Sequence, residues 1–297
     1  MHKPVAIDYA LLVGIGLIWG SQFVLNELAI ESYPPLSVAA GRVFVGFLTL
    51  SLVVGLMPRG SVAIPPEIDR QPWGLYCAIA FAEAILPCYL IPYGQQHVDS
   101  TIAAILLATV PIFTLILAPF IVQEERWGLI AILSAVVGFI GVLVLLIPSI
   151  EGDVFSDIIG ELAILGGALS FSLSLIMMKR LPAVPPVLAM RNVFMIGSLP
   201  LVVLALILDA PWTLSGNAAS LLSLLGLGVL CGGLAYVMFI YMVNRTGPTF
   251  TSLVGYLITL VGVFIGIVFL GDRLEIHDIV ALVLIVAALA VSRFKKS

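Results

Sequence analysis

The chain has little charge for its length. Only 10% of its 297 residues are Asp, Glu, Lys or Arg, whereas 61% are hydrophobic, and its mean hydropathy is +1.20. A soluble domain carries charge on roughly a quarter of its residues. No single core could hide so much apolar surface from water. The composition therefore excludes an ordinary soluble protein and favours one dissolved in lipid.

The usual ligands of metals and nucleotides are also scarce. The chain has three cysteines and three histidines, and no group of His and Cys has the spacing of metal ligands. Gly14, Gly16 and Gly20 fall within an apolar run without a preceding strand, so they do not form a dinucleotide-binding loop. No P-loop for ATP is present. We therefore expect no metal, no cofactor, no disulfide framework and no use of ATP.

What the sequence does contain is a series of long apolar runs. A helix needs roughly 20 apolar residues to cross a bilayer, and the alternation typical of membrane β-barrels is not seen. The sequence predicts ten spans, at residues 9–29, 36–57, 72–93, 100–122, 127–147, 158–178, 187–208, 218–242, 249–270 and 276–293. The predicted fold class is therefore all-α, a polytopic membrane protein.

The basic residues predict an orientation. If the N-terminus is cytoplasmic, the cytoplasmic segments hold ten Lys and Arg residues and the outer loops hold only Arg273. Cytoplasmic loops of membrane proteins carry an excess of these residues. We therefore expect a multi-pass protein with both termini in the cytoplasm and the acidic loop at 149–157 outside.

The second half of the chain is weakly similar to the first when shifted by 148 residues. The matched pairs are Tyr93 with Tyr241, Thr101 with Thr249, and Glu124 with Asp272. Each half holds five predicted spans, an odd number, so the second half is inverted. Inverted repeats around a central site are a transporter architecture. We expect repeats at 1–150 and 151–297 around a central cavity.

Two arginines lie inside the spans at roughly mirrored places. Pro34 and Pro35 precede Arg42, and a second proline pair precedes Arg191. An arginine in a span either reaches to the interface, pairs locally, as Arg42 could with Glu27, or works in gating. The sequence leaves these interpretations open for both residues.

Several short motifs resemble the EamA type of the drug/metabolite transporter superfamily. They are Trp19-Gly20-Ser21-Gln22-Phe23, Ala108-Thr109-Val110-Pro111-Ile112-Phe113 and Leu270-Gly271-Asp272. The last has Asp where the family has Glu, and Val122-Gln123-Glu124 lacks the family's glycine. The resemblance implies two inverted five-helix repeats, a central cavity and export of small metabolites, often amino acids, from bacteria. The branch it resembles most exports aromatic amino acids. The resemblance also implies a location in the bacterial inner membrane.

One segment, FAEAILPCYLIPYG at 81–94, breaks the apolar pattern of its span. Glu83 lies at the middle of the span, and Pro87 has no N–H to donate to the Glu83 carbonyl. A carboxyl there is costly unless it has a suitable environment. Glu83 is either a structural group bonded to a neighbouring helix or a cavity residue that binds a substrate ammonium or carries a proton.

A polar cavity needs polar and aromatic side chains from several spans. Trp19 lies at the centre of span one, with Gln22 on the same face. Each aromatic residue could equally pack or bond against a neighbouring helix. The predicted cavity residues are Trp19, Gln22, Glu83, Tyr93, Tyr236, Tyr241 and Tyr256, and the predicted gating or structural residues are Arg42, Arg191 and Pro87.

These observations favour a secondary transporter that exports aromatic or other amphipathic amino acids. Transport of another small organic solute, such as a drug, cation or nucleoside-like molecule, is the alternative within the same superfamily. A membrane-embedded enzyme should show a metal cluster or a catalytic motif, and neither is present. We predict no enzyme, no nucleic-acid partner and no obligate protein partner. The expected partners are a small-molecule substrate and the lipid bilayer, with the chain active as a monomer.

Overall fold

The computed structural model describes residues 5–61, 72–121, 128–151, 155–182, 184–251 and 253–292, and these contain helices and no strands. The ten spans are confirmed, with shifts of a few residues at their ends. They are α1 Ala6–Ile30, α2 Pro35–Leu56, α3 Trp73–Gly94, α4 Ser100–Ile121, α5 Leu129–Glu151, α6 Phe155–Met178, α7 Pro186–Leu208, α8 Ala218–Thr246, α9 Val254–Leu270 and α10 Ile276–Ser292.

Length and composition support the membrane assignment helix by helix. Seven of the described helices are long and apolar enough to cross a membrane, and α5, α9 and α10 contain shorter apolar helices. Many large apolar side chains are exposed, for example Leu52, Leu199 and Phe269. Such surface is costly in water and costs nothing against lipid tails, which are equally apolar.

Polar contacts show which helix ends meet. Asp8 at the start of α1 forms an ion pair with Arg245 at the end of α8, at 2.8 Å. At the other side, the Ser37 hydroxyl near the start of α2 donates to Asp209 after α7, at 2.6 Å. With ten helices crossing the bundle, the start of α1 and the end of α10 lie on the side of Asp8. We call this side the terminal end and the other the distal end.

Helices α2 and α7 pack against each other, and each crosses the third helix of the opposite half. At one crossing, a Cβ added to Gly46 of α2 would lie 3.3 Å from the Cα of Gly232 in α8. At the other, a Cβ added to Gly197 of α7 would lie 2.9 Å from the Cβ of Ala84 in α3. Gly46 and Gly197 stand at the same distance from the proline that begins each helix, so the two crossings are the matched contacts of an inverted pair.

Helices α5 and α10 form the edge of the bundle. A Cβ at Gly141 of α5 would lie 3.1 Å from the carbonyl oxygen of Ala281 and 2.9 Å from Ile285, both in α10. The outer faces of both helices carry exposed apolar residues such as Ile140 and Val283. The polar side chains that matter for function therefore lie on the other helices.

Candidate functional site

The Glu83 segment of α3 is a π-helical turn, Phe81–Ile85. The backbone N–H of Leu86 donates to the Phe81 carbonyl, five residues back, and Pro87 follows directly. A π turn inserts one extra residue and often marks a functional position in a helix. The carboxyl of Glu83 is consequently turned into the bundle, and the side chain is only 6% exposed.

The two carboxyl oxygens of Glu83 have different surroundings. The hydroxyl of Tyr236, from α8, donates a short hydrogen bond to Oε1. The other oxygen, Oε2, is buried and accepts no hydrogen bond from any described residue. The Ser174 hydroxyl of α6 lies near this carboxyl as a longer-range hydrogen-bond donor, and Arg42 of α2 acts on it through its charge. Glu83 therefore joins helices from both halves of the chain, and its Oε2 has lone pairs that no close donor among the described residues occupies.

Arg42 is a buried cation near the carboxyl of Glu83. It is 4% exposed, and its Nη2 donates to Oε1 of Gln22 at 2.9 Å. This contact replaces the pairing with Glu27 considered above. Its Nε and Nη1 are buried and find no acceptor within the described ranges. Among the described ion pairs none joins Arg42 to Glu83 within 4.0 Å, so two unlike groups face one interior region without direct contact.

Aromatic rings pack around Tyr236, the hydrogen-bond partner of Glu83. The Trp19 indole Nε1 donates to the Cys231 carbonyl at 3.0 Å, and its ring centroid lies 5.3 Å from that of Tyr236 and 5.3 Å from that of Phe239. Phe194 packs edge-on against Tyr236 at 5.5 Å. Cys231 belongs to a second π-helical segment, Leu227–Leu234 of α8. Its carbonyl supplies the partner that a buried indole N–H needs.

The structure thus brings together five of the predicted residues: Trp19, Gln22, Arg42, Glu83 and Tyr236. We call these five residues the central group. They come from α1, α2, α3 and α8, which explains why no linear motif contains them. Pro87 lies next to the group in α3 and follows the π turn that carries Glu83.

The other predicted residues lie apart from the central group. Tyr93 stacks on Tyr89 near the distal end of α3, at 5.9 Å. Tyr241 is 48% exposed at the terminal end, where Arg245 lies over its ring. Tyr256 packs against the core cluster built around α4, α5 and α10.

Arg191 also lies outside the central group. It donates to the side chain of its neighbour Asn192 at 2.8 Å, in the terminal half of α7. The two arginines at roughly mirrored sequence positions therefore have different partners, because Arg42 reaches Gln22 on another helix.

Sequence reasoning missed several contributors to the site. Phe194, Phe239 and the Cys231 carbonyl were not among the predicted residues. Cys231 could have been found, because the shift of 148 residues that pairs the two halves places it opposite Glu83. Phe194 and Phe239 carry no such signal, since an apolar residue in an apolar helix gives no indication of which face turns inward.

The Leu-Gly-Asp motif at the end of α9 has a structural role. Gly271 has a φ of 79°, a left-handed conformation that glycine adopts without strain, and the chain turns there. Asp272 Oδ2 then accepts from the Thr101 backbone N–H at 3.0 Å and from the Thr101 and Ser100 hydroxyls at 2.7 and 3.1 Å. The second half of the chain thereby caps α4 of the first half. The matched Glu124 lies outside the described residues.

Asp99, directly before α4, makes no capping hydrogen bond of its own. Partial burial, together with the negative charges of Asp272, Asp278 and Asp157, raises the pKa of the Asp99 carboxyl above its ordinary value. The distal end of the bundle therefore concentrates acidic residues that repel one another when all are ionised.

The comparisons with known proteins agree with this architecture. The family model described as "EamA-like transporter family" matches residues 7–147 and 158–294. The chain belongs to this family. It is 24% identical to the uncharacterized transporter YoaV of Bacillus subtilis, over 95% of each chain. It is 25% identical to the uncharacterized inner membrane transporter YedA of Escherichia coli K12, over 94% of this chain and 88% of that one.

The fold itself has a solved counterpart. A structure described only as "Crystal structure of protein" matches with a TM-score of 0.67 at 16% identity, covering 97% of this chain and 99% of that chain. Likeness at this identity shows the fold alone. The family and its relatives make this EamA-like protein a membrane transporter, and their names give no substrate and indicate no enzyme.

Proposed function

We propose that this EamA-like protein is a secondary transporter that exports aromatic or other amphipathic amino acids across the bacterial inner membrane by alternating access. Its central group would be the substrate site. Both termini would face the cytoplasm, so the terminal end would load substrate and the distal end would release it.

The observation that carries this proposal is the unsatisfied hydrogen-bonding capacity of Arg42 and Glu83. Arg42 has two buried nitrogens with donors to spare, and Glu83 has one buried oxygen with lone pairs to spare. A buried polar atom without a partner costs about 1–3 kcal/mol, and more when it is charged. A ligand that offers both a carboxylate and an ammonium would satisfy both groups without adding net charge.

An α-amino acid carries this pair of groups on one carbon. Its carboxylate would accept from the spare N–H groups of the Arg42 guanidinium, a planar donor suited to carboxylates. Its ammonium would donate to Oε2 of Glu83. The rings of Trp19, Tyr236, Phe194 and Phe239 would then contact the apolar side chain of the substrate, which favours aromatic and other amphipathic amino acids.

An organic cation is the second candidate. It would satisfy Glu83 and gain a cation–π contact with Trp19, worth about 0.5–2 kcal/mol. It would leave the spare donors of Arg42 unsatisfied in the interior. The two candidates therefore differ in whether transport requires a carboxylate on the substrate.

A substrate panel in proteoliposomes tests the proposal. We would measure efflux of L-tryptophan, L-phenylalanine, tryptamine, which is tryptophan without its carboxylate, uridine and glucose, each with and without a pH gradient. We expect flux of the two amino acids well above empty liposomes and little flux of the rest. Flux of tryptamine equal to that of tryptophan would show that no carboxylate is needed, and flux of uridine or glucose alone would overturn the substrate class.

A further inference from the structure

A groove of about 500 Å³ opens at the distal end between the start of α2, the second half of α3 and the last turns of α7. Its wall includes Ile85, Tyr89, Tyr93, Gln96, Leu204 and Asp209. Most of these side chains are apolar or aromatic, with polar groups added by Gln96 and Asp209. Sites for small ligands have this composition and a volume of roughly 300–1,000 Å³.

The groove and the central group are formed in part by the same turn of α3. Ile85 is the last residue of the π turn that carries Glu83. Ile85, Tyr89 and Tyr93 follow one another at four-residue spacing, so they form a single stripe along α3. The close crossing of Gly197 and Ala84 lies between the bottom of this stripe and Glu83.

At the terminal end, the region that corresponds to the groove is packed. The matching place between α7, α8 and the end of α2 is filled by packed side chains, among them Val187 and Leu188, which are 6% and 8% exposed. The ion pair of Asp8 and Arg245 ties α1 to α8 on the same side. In this structure side chains therefore pack closely in this region of the terminal end, whereas a groove is present at the distal end.

We propose that the groove is a second binding site, which holds the transported solute on its way to the distal face. Its ligand would be a small, flat, amphipathic molecule that stacks on the Tyr89–Tyr93 pair, whose planes are 25° apart. Gln96 and Asp209 would bind its polar groups. The identity of the ligand as the transport substrate rests on the function proposed above.

Paired cysteines on α7 show whether the groove holds water or lipid. Leu204 and Leu206 are 45% and 44% exposed, but only Leu204 lines the groove. In a Cys77→Ser background, we expect a charged methanethiosulfonate reagent to label Leu204→Cys and to leave Leu206→Cys unlabelled. Equal lack of reaction at both positions would mean that lipid fills the groove, and the proposal would be wrong.

Protection of the introduced cysteine from labelling shows whether the groove binds L-tryptophan. L-Tryptophan at about four times its Kd should slow the labelling of Leu204→Cys about fivefold, because the labelling rate falls by the factor 1 + [L]/Kd. Adding Tyr93→Leu should remove most of this protection, whereas Tyr93→Phe, which keeps the ring, should retain it. Tyr9→Leu, a tyrosine 53% exposed at the terminal end, serves as the control and should also retain it.

The same assay separates the groove from the central group. With Glu83→Gln added, protection of Leu204→Cys by L-tryptophan should persist, because the groove does not need the carboxyl. Loss of protection in that variant, or labelling without any protection in the parent, would overturn the second site. If protection persists while the flux panel shows no amino-acid transport, the groove stands and the proposed function fails.

Discussion

The third helix of each half, α3 or α8, contains a π-helical segment at a matching position. In α3 the Leu86 N–H reaches the Phe81 carbonyl, and in α8 the Ala235 N–H reaches the Leu230 carbonyl, each five residues back. The residue at the centre of the interruption is Glu83 in α3 and Cys231 in α8. One helix thus places a carboxyl in the interior, whereas the other presents a thiol and a backbone carbonyl.

The two π-helical segments therefore have different roles: one serves in packing and the other places the acid. The π-helical segment of α8 lies against α2 and supplies a carbonyl to Trp19. That of α3 carries the acid and receives the hydroxyl of Tyr236. Two matched backbone irregularities therefore form one site, because each half contributes a different part. An inverted repeat conserves the shape of the bundle without requiring equal chemistry in its halves.

The two arginines provide the first way to test this asymmetry. Arg42→Lys removes the planar fork that faces the centre, so we expect efflux of L-tryptophan to fall about tenfold or more. Arg191→Lys should stay within about twofold, since its described hydrogen bond is to the adjacent Asn192. Both variants must first elute as folded protein. If efflux fell equally in the two variants, the two arginines would not differ in function, and the inferred asymmetry between the halves would be wrong.

The glycines of α8 test its scaffolding role. A Cβ at Gly228 would lie 2.4 Å from the Cβ of Val45 in α2, whereas a Cβ at Gly255 in α9 would meet nothing within 4 Å. We expect Gly228→Ala to destabilise the protein by about 1–3 kcal/mol through overpacking. Gly255→Ala should be neutral or slightly stabilising. Thermal unfolding in detergent measures both, and equal melting temperatures would contradict the close crossing of α8 and α2.

The cap on α4 tests the contact between halves at the distal end. Asp272→Ala removes three hydrogen bonds to Ser100 and Thr101. We expect a loss of about 1–2 kcal/mol, the usual effect of losing a helix cap. The exposed neighbour Arg273 offers a matched control, and Arg273→Ala should leave thermal unfolding unchanged. A stable Asp272→Ala variant would show that the cap contributes little.

Asp99 should give the smallest effect, with a dependence on pH. Because partial burial and nearby acidic residues raise the pKa of its carboxyl in the folded protein, folding favours the protonated form. Stability therefore falls as pH rises from the ordinary Asp value, about 3.9, through the raised one. Asp99→Asn should raise the melting temperature slightly at neutral pH and not at pH 4. A gain of the same size at both values would exclude charge repulsion as the cause.

The sequence predicted the spans and singled out Glu83 for physical reasons. Lipid requires long apolar runs, and an acid beside Pro87 and Pro92 contradicts such a run unless the interior accommodates it. The π turns were not predicted, because a shift from four-residue to five-residue hydrogen bonds depends on packing against neighbouring helices. Tyr93, Tyr241 and Tyr256 were grouped with Glu83 because a wholly apolar helix does not reveal which of its faces turns inward.

The central claim is that the chemistry of the site lies in the carboxyl of Glu83. The most direct test compares Glu83→Gln with Glu161→Gln, since Glu161 is another buried carboxyl, 2% exposed, in α6. Efflux of L-tryptophan would be measured in proteoliposomes from about pH 5.5 to 8, a range set by carboxyl and His titration. We expect Glu83→Gln to lower flux about tenfold or more at every pH, as for loss of a functional intramembrane acid, while Glu161→Gln keeps most of it. Wild-type flux in folded Glu83→Gln protein across this range would contradict the account.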